Sequence, residues 1–451
     1  MNDTSSGLGH RWLHVIEHFR ERLHGVEFCA RHRRCARDFT RERLLTFPIV
    51  MLLLLQKTTK SVQRHVQSFF QQMGRVAGST VTPGAWTQAR AKLSHTALIE
   101  LNQEVVLADF YAPEQRGHRR LWRGHRLLGC DGTVLRLPNH PEVLAEFGRQ
   151  TVQNHHGETG TDYSPARLSV LYDLLNHLGL DAQLAPVSQG EVELALSQLP
   201  QVERNDVLIW DRGFTGFVWM AQTLAGGAHF IGRCSTGSYL AAQQLFQANQ
   251  GGQSRVVRLD AGPAQWAALA KRGLPRQLTV RFVSVRLPDG ELEVLVTSLL
   301  DAALYPTAEF LEVYHWRWQH ETYHQMLKGR LDLENWSGQT LEAVRQDVQA
   351  AVLVSNLESL LSQPAQEELQ SGHGQRQYPA QVNRAVSYHA LKEKMLDLLW
   401  SDRPSAEVLQ QLHRWMRSNP VTVRPDRKPP RRKFSAFRSY HHQRHIRKAV
   451  F

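Results

Sequence analysis

The spacing of apolar residues divides the chain into helical and β-rich stretches. From Leu44 to Phe70 they recur with a helical stagger, with few breakers after Pro48. Gly74 to Gly84 reads as a loop, and Thr82-Pro83 as an N-cap followed by proline at the first helical position. The helix expected next, from Ala85 to about Phe110, carries Thr87, Gln88, Arg90 and Lys92 near its start. Side chains of this kind on the first turns suit entry into a DNA major groove, and a plain solvent-facing helix fits equally well. Residues 1–120 are therefore expected to be mostly helical, with Arg90 and Lys92 as candidate DNA contacts.

From Arg126 the texture changes. β-prone runs appear at Leu127–Leu137, Leu168–Leu175 and Val207–Trp210, with a helical stretch at Glu191–Leu199 before the third. Strands interleaved with helices indicate an α/β core. Residues 231–290 differ again: Gly251-Gly252 punctuates β-prone pieces at Arg255–Leu259 and Leu278–Arg286, which reads as a β-rich insertion. A strand over Leu292–Leu300 leads into a long helix expected from about Thr307 to Arg330, and helices continue to about Leu412. No internal repeat is evident.

The helix before Arg330 carries the densest chemistry. At ~100° per residue, with Tyr314 at zero, Arg317, Glu321 and Lys328 fall at ~300°, ~340° and ~320°, in one sector. Trp316, Tyr323 and Leu327 fall on the opposite side, so a charged stripe faces away from an aromatic and aliphatic one. Arg317 and Glu321 are also an i,i+4 pair, so a solvated salt-bridge face explains the stripe as well.

Two other acids bear on that choice. Asp211 ends the apolar run Val207-Leu208-Ile209-Trp210, and the carboxyl ends of buried strands are where α/β sheets place function. Asp131 follows Leu127-Leu128-Gly129-Cys130 and precedes Gly132, a dipeptide that also signals a tight hairpin. Gathering three carboxylates has a chemical reason. In-line attack on a phosphodiester needs an activated oxygen nucleophile and a stabilised leaving oxygen, which two metal ions roughly 3.5–4 Å apart supply. Mg²⁺ prefers oxygen ligands and keeps some of its waters, so a few carboxylates suffice.

Composition narrows the partners. Charged residues are 21% and apolar residues 42% of 451, a globular balance. Lys and Arg number 54 against 42 acids, a net +12 that points to a polyanion. Residues 421–451 hold ten Lys/Arg and one acid, +9 of that total, among them Arg431, Arg432 and Lys433. Phe434, Phe437 and Tyr440 lie between the charges, which suits DNA contact; a solvated tail is the bland alternative. A second basic knot runs from Arg116 to Arg126. Four scattered cysteines exclude a disulfide framework, and Cys29, His32 and Cys35 lack the spacing of a paired zinc knuckle. The polar first residues and a longest apolar run of nine, Phe47–Leu55, argue against secretion or membrane spanning; a cytoplasmic protein, nucleoid-associated if bacterial, is expected.

The stretch Tyr314-x2-Arg317-x3-Glu321-x6-Lys328, with Asp131-Gly132-Thr133 and Asp211-Arg212-Gly213-Phe214 upstream, resembles the signature of the insertion-sequence-4-type DDE transposases, a cut-and-paste family. The resemblance covers about residues 40–360. It implies an α/β, RNase H-like catalytic core interrupted by the β-rich insertion, with a helical N-terminal DNA-binding domain and a helical, basic C-terminal region. The expected boundaries are 1–120, 121–230, 231–300, 301–365 and 366–451. By carry-over, Asp131, Asp211 and Glu321 match the catalytic metal-binding triad, which takes two Mg²⁺ ions with Mn²⁺ as a substitute. Tyr314, Arg317 and Lys328 match residues that hold DNA phosphates, and Trp318 an aromatic beside the DNA end. The implied partner is double-stranded DNA, bound by a homodimer that pairs two element ends. Some relatives excise through a hairpin and use a tryptophan on the strand before the signature helix. Here Glu291–Ser298 has none, and Trp266 is a candidate replacement. A catalytically silent DNA-binding protein and a metal-dependent endonuclease without strand transfer remain as alternatives.

Overall fold

The computed structural model describes residues 10–424 except 42, 59–60, 75–80, 154–158 and 373–376. The basic tail from 425, with Arg431, Arg432 and Lys433, lies outside them. Two compact units emerge. One joins His118–Val134 to Arg167–His324; the other joins Met1–Gly117, Leu135–Ala166 and Gln325–Phe451.

Nine strands matter here: β1 (Leu127–Leu137), β2 (Gln150–Gln153), β3 (Thr159–Asp173), β4 (Leu178–Pro186), β5 (Val207–Trp210), β6 (His229–Arg233), β7 (Ser254–Asp260), β8 (Gln277–Arg286) and β9 (Leu292–Thr297). The α/β unit is built on the order β3-β1-β5-β6-β9-β8-β7, with β4 paired to β3. β5 runs parallel to both β1 and β6, whereas β9, β8 and β7 pair antiparallel. The sheet is therefore mixed. All four residues of β5 are buried, as an unbroken apolar run in a parallel strand requires. The edge strand β7 is largely exposed and carries Arg255 and Arg258, which discourage edge-to-edge pairing.

β1 and β5 coincide with the expected strands, and β1 continues straight through Asp131-Gly132. The hairpin alternative at that dipeptide therefore falls. β7, β8 and β9, expected within a separate insertion, extend the same sheet, and the helices Leu240–Ala248 and Trp266–Lys271 lie among them in sequence.

A close approach fixes the middle of this sheet. Trp210 on β5 sits opposite Gly232 on β6. Its ring is 1% exposed and stacks on Phe230 with centroids 5.2 Å apart. A Cβ added at Gly232 would lie 2.0 Å from the indole Nε1, so only glycine fits opposite this tryptophan.

The other unit is helical, as expected for residues 1–120 and for the region before the tail. Phe47–Leu55 has eight of nine residues buried, and Leu341–Ser371 is the longest helix. Its Asp347 is 1% exposed and receives Arg90 Nη2 at 2.7 Å and Lys57 Nζ at 3.4 Å. Ser337 donates to the same carboxylate from its backbone N and its hydroxyl, both at 2.7 Å. β2 pairs antiparallel with the first half of β3. No helix among the described residues is long and apolar enough to cross a membrane.

Gly232→Ala is expected to destabilise the protein by about 3 kcal/mol, the upper range for overpacking a core. A urea-unfolding midpoint unchanged by the substitution would contradict this packing.

Candidate active site

Parallel pairing joins the two strands that lead to the first two acids. Leu127, Leu128 and Gly129 of β1 pair with Val207, Leu208 and Ile209 of β5. The paired positions stop two residues short of Asp131 on β1 and of Asp211, which directly follows β5. Asp131 is part-buried, and the Gly132 backbone N donates to its Oδ1 at 2.8 Å. Asp211 directly follows β5, and its Oδ1 accepts from the Arg212 backbone N at 2.8 Å.

The third acid comes from the signature region, which is not one regular helix. Helices Phe310–His315 and Trp318–Gly329 are joined through Trp316 and Arg317. The backbone N–H groups of Arg317, Gln319 and His320 bond three residues back, to Tyr314, Trp316 and Arg317. Such tightening eclipses residues three apart. It brings Tyr314 and Arg317 together, with the guanidinium carbon 5.7 Å from the Tyr314 ring centre.

Arg317 is the hub. It is 7% exposed, and its Nη2 donates to Glu321 Oε1 at 3.0 Å. The Tyr314 hydroxyl donates to Asp211 Oδ1 at 3.4 Å. Burial works against the charge on Arg317, but Tyr314, Asp211 and Glu321 outweigh it and raise its pKa. Its Nε is buried with no hydrogen-bond partner among the described residues. Burial likewise raises Tyr314, with Asp211 and Glu293 adding to the effect and Arg317 and Arg233 opposing it. Asp131 is pushed up to about 6, first by burial and then by Glu191 and Glu321, against the Gly132 N–H and Arg317. A part-buried carboxyl crowded by two other carboxylates favours a cation beside it. Asp131, Asp211 and Glu321 offer only oxygen donors and no thiolate, the ligand type that Mg²⁺ or Mn²⁺ takes.

The remaining residues divide. Trp318 is 39% exposed, with Arg317 5.3 Å over its ring. Lys328 lies seven residues beyond Glu321 on the same helix; burial lowers its pKa, and Glu334 opposes that. Trp266 is 41% exposed, donates Nε1 to the Ala261 carbonyl, and carries Arg276 4.5 Å over its ring. Arg90 is not a groove-reading side chain. It is 3% exposed and held by Asp347, the Ala343 carbonyl, Ser337 and Gln346 at 2.6 to 2.7 Å. Its helix ends at Arg90, so the single helix expected to Phe110 is interrupted. The cause is a bridge between Leu93 and Arg33, with the Lys92 carbonyl accepting from Arg34 N and Ser94 N donating to the His32 carbonyl. Lys92 is exposed. His32 bonds to Glu100 and Thr96, which occupies both ring nitrogens and leaves Cys29 and Cys35 without a third ligand there.

Sequence reasoning missed His320 and His324, which flank Glu321 one helical turn apart. The available signal was two histidines at i and i+4 on one helix face. Burial, then His324 and Arg317, holds His320 well below its ordinary pKa.

The raised pKa of Asp131 has a measurable sign. Between its ordinary 3.8 and about 6 the folded, metal-free chain holds a proton that the unfolded chain has released. That contribution to stability is full at low pH and is lost as pH rises from about 4 to about 6. Asp131→Asn is expected to remove this part of the slope of unfolding free energy against pH; an unaltered slope would contradict the burial.

A family profile described as the transposase DDE domain matches residues 122–357, just over half of the chain. The chain is 27% identical over 288 residues to transposase InsG for insertion sequence element IS4 of Escherichia coli (strain K12), covering 61% of this chain and 60% of that protein. It is 27% identical over 145 residues to the putative transposase InsZ of the same organism, covering 31% of this chain and 45% of that protein. These matches thus span about half of the relatives' own lengths. Among solved structures, the piggyBac transposase synaptic complex with hairpin DNA is similar at 10% identity and a TM-score of 0.45, over 88% of this chain and 81% of that one. With Asp131, Asp211 and Glu321 all inside the matched segment, the chain belongs to the DDE transposase family, in its insertion-sequence-4 branch.

Proposed function

We propose that the chain is an active DDE transposase that cleaves DNA at the ends of its own element and joins the freed 3′-hydroxyls to target DNA. The observation that carries this reading is that Arg317 acts on all three acids: it bonds Glu321, and Asp211 and Asp131 feel its charge. A silent binding protein would have no use for a part-buried Asp131 whose charged form burial, Glu191 and Glu321 all disfavour.

In this reading Asp131, Asp211 and Glu321 supply the oxygen ligands of an RNase H-like core. Two divalent ions, Mg²⁺ or Mn²⁺, would activate the attacking oxygen and stabilise the leaving one. Arg317 has two tasks. Without DNA it balances the carboxylates; its unpaired Nε leaves a donor for a phosphate oxygen, where a charge-assisted bond is strong. Tyr314 orients Asp211 through its hydroxyl. Trp318 offers an exposed ring to a base or sugar at the DNA end, Lys328 adds a phosphate contact further along the helix, and the exposed Lys92 and the tail residues Arg431, Arg432 and Lys433 bind flanking duplex. Trp266 is the available ring for a displaced base. Two copies acting as a dimer would pair the two ends.

Asp131→Asn, Asp211→Asn and Glu321→Gln are each expected to lower Mg²⁺-dependent cleavage of end DNA by at least about a hundredfold. Inverted repeats, where they flank the coding region, would supply that substrate. Intact cleavage in any of the three would refute the assigned triad, and pre-cleaved ends that never yield joined product would reduce the activity to that of a nuclease.

Deleting residues 425–451 removes nine of the ten basic residues counted from 421 and spares the short pairing of Val421–Thr422 with Ala380–Gln381. DNA binding is expected to weaken, and log Kd to vary less steeply with log salt, because fewer counterions are released. An unchanged salt slope would assign the tail to solvent.

A further inference from the structure

Asp131 has neighbours that the three-carboxylate reading does not use. His320 and His324 bracket Glu321 in the order His-Glu-Thr-Tyr-His on the helix Trp318–Gly329. One ring nitrogen from each and a carboxylate oxygen of Asp131 all lie within 4.8 Å of one another. Among the described residues this is the one such group of His, Cys, Asp or Glu.

The burial is what makes this cluster unusual. His320 is 1% exposed and His324 7%. Neither ring nitrogen of His320 has a hydrogen-bond partner among the described residues. A buried polar group left unsatisfied costs about 1–3 kcal/mol, which a leucine or phenylalanine of similar bulk would avoid. The ring is also held in place. It stacks between Tyr172, with centroids 5.5 Å apart, and His324, 4.6 Å apart. It fills the space beside Gly129 on β1, where an added Cβ would lie 3.1 Å from His320 Nδ1.

We infer that Asp131, His320 and His324 form a three-ligand site for a borderline divalent ion such as Zn²⁺, Co²⁺ or Mn²⁺, in preference to Mg²⁺. Two imidazoles and one carboxylate suit ions that accept nitrogen, whereas Mg²⁺ demands a near-ideal oxygen octahedron. Three protein ligands leave a position open for water or a DNA oxygen. Through Asp131 the site overlaps the proposed cleavage centre, and its bearing on transposition rests on that reading; its ability to bind metal does not. Such an ion places nitrogen ligands beside the carboxylates, so the centre discriminates among metals by ligand type as well as by charge.

The test is a titration of the full-length, metal-free chain with Co²⁺, read by its visible d–d absorption. The expected result is a band distinct from that of aqueous Co²⁺, saturating at one ion per chain, abolished by Zn²⁺ and retained in a large excess of Mg²⁺. His324→Gln and Asp131→Asn should each weaken Co²⁺ binding more than about tenfold, while Glu321→Gln keeps the band. A wild-type spectrum no different from that of aqueous Co²⁺ overturns the inference whatever the variants do, and so does unchanged affinity in His324→Gln. DNA cleavage that survives Asp211→Asn would instead count against the proposed function, and the Co²⁺ spectrum would be unaffected by that outcome.

Discussion

The register between two parallel strands is the constraint on which the rest depends. β1 and β5 pair up to Gly129 and Ile209, two residues before Asp131 and Asp211, and a slip of one residue would turn one carboxylate to the opposite face. That register is reinforced from the next strand. Trp210, directly before Asp211, packs over Gly232 on β6 at a distance no side chain could share. A large buried indole thus anchors the residue beside the acid. The acid itself stays at the strand end, where the chain turns through Arg212–Phe214.

Electrostatics then determines how the signature region meets the sheet. Glu191 and Glu321 act on the part-buried Asp131, where repulsion is felt more because water screens less. Arg317 offsets it. The tightened turn at Trp316 and Arg317 delivers the guanidinium to Glu321 while Tyr314 reaches Asp211. Glu321, Tyr314 and Arg317 therefore form one arrangement with the end of β5. The raised pKa of Asp131 comes first from its burial and then from Glu191 and Glu321, which Arg317 and the Gly132 N–H only partly offset.

Much of this was legible in the chain. The run Val207–Trp210 is apolar without interruption and proved to be a buried parallel strand with the same limits. The spacing Tyr314, Arg317, Glu321 follows from the motif alone, and Thr82 caps its helix as its residue type suggests. What escaped depended on contacts distant in sequence. Arg90 looks like any helix-surface arginine until Asp347, more than 250 positions away, claims it. A helical wheel drawn from Tyr314 to Lys328 assumes one regular helix, and the turn at Arg317 breaks that assumption through local hydrogen bonding. The β-prone pieces after residue 231 were recognised as strands, but which sheet they join is a matter of pairing, which periodicity does not encode. His320 and His324 were passed over because at their positions on the wheel they belong to neither the charged nor the apolar face.

The central claim is that Asp131, Asp211 and Glu321 surround one cation-binding centre. Replacing the divalent ion with Fe²⁺ and generating hydroxyl radicals cuts the backbone wherever the ion sits, and mapping the fragments reads out its neighbours directly. Cuts are predicted near residues 131, 211 and 321 together, suppressed by excess Mn²⁺. Cuts confined to one of these segments, or lying outside all three, would contradict the account.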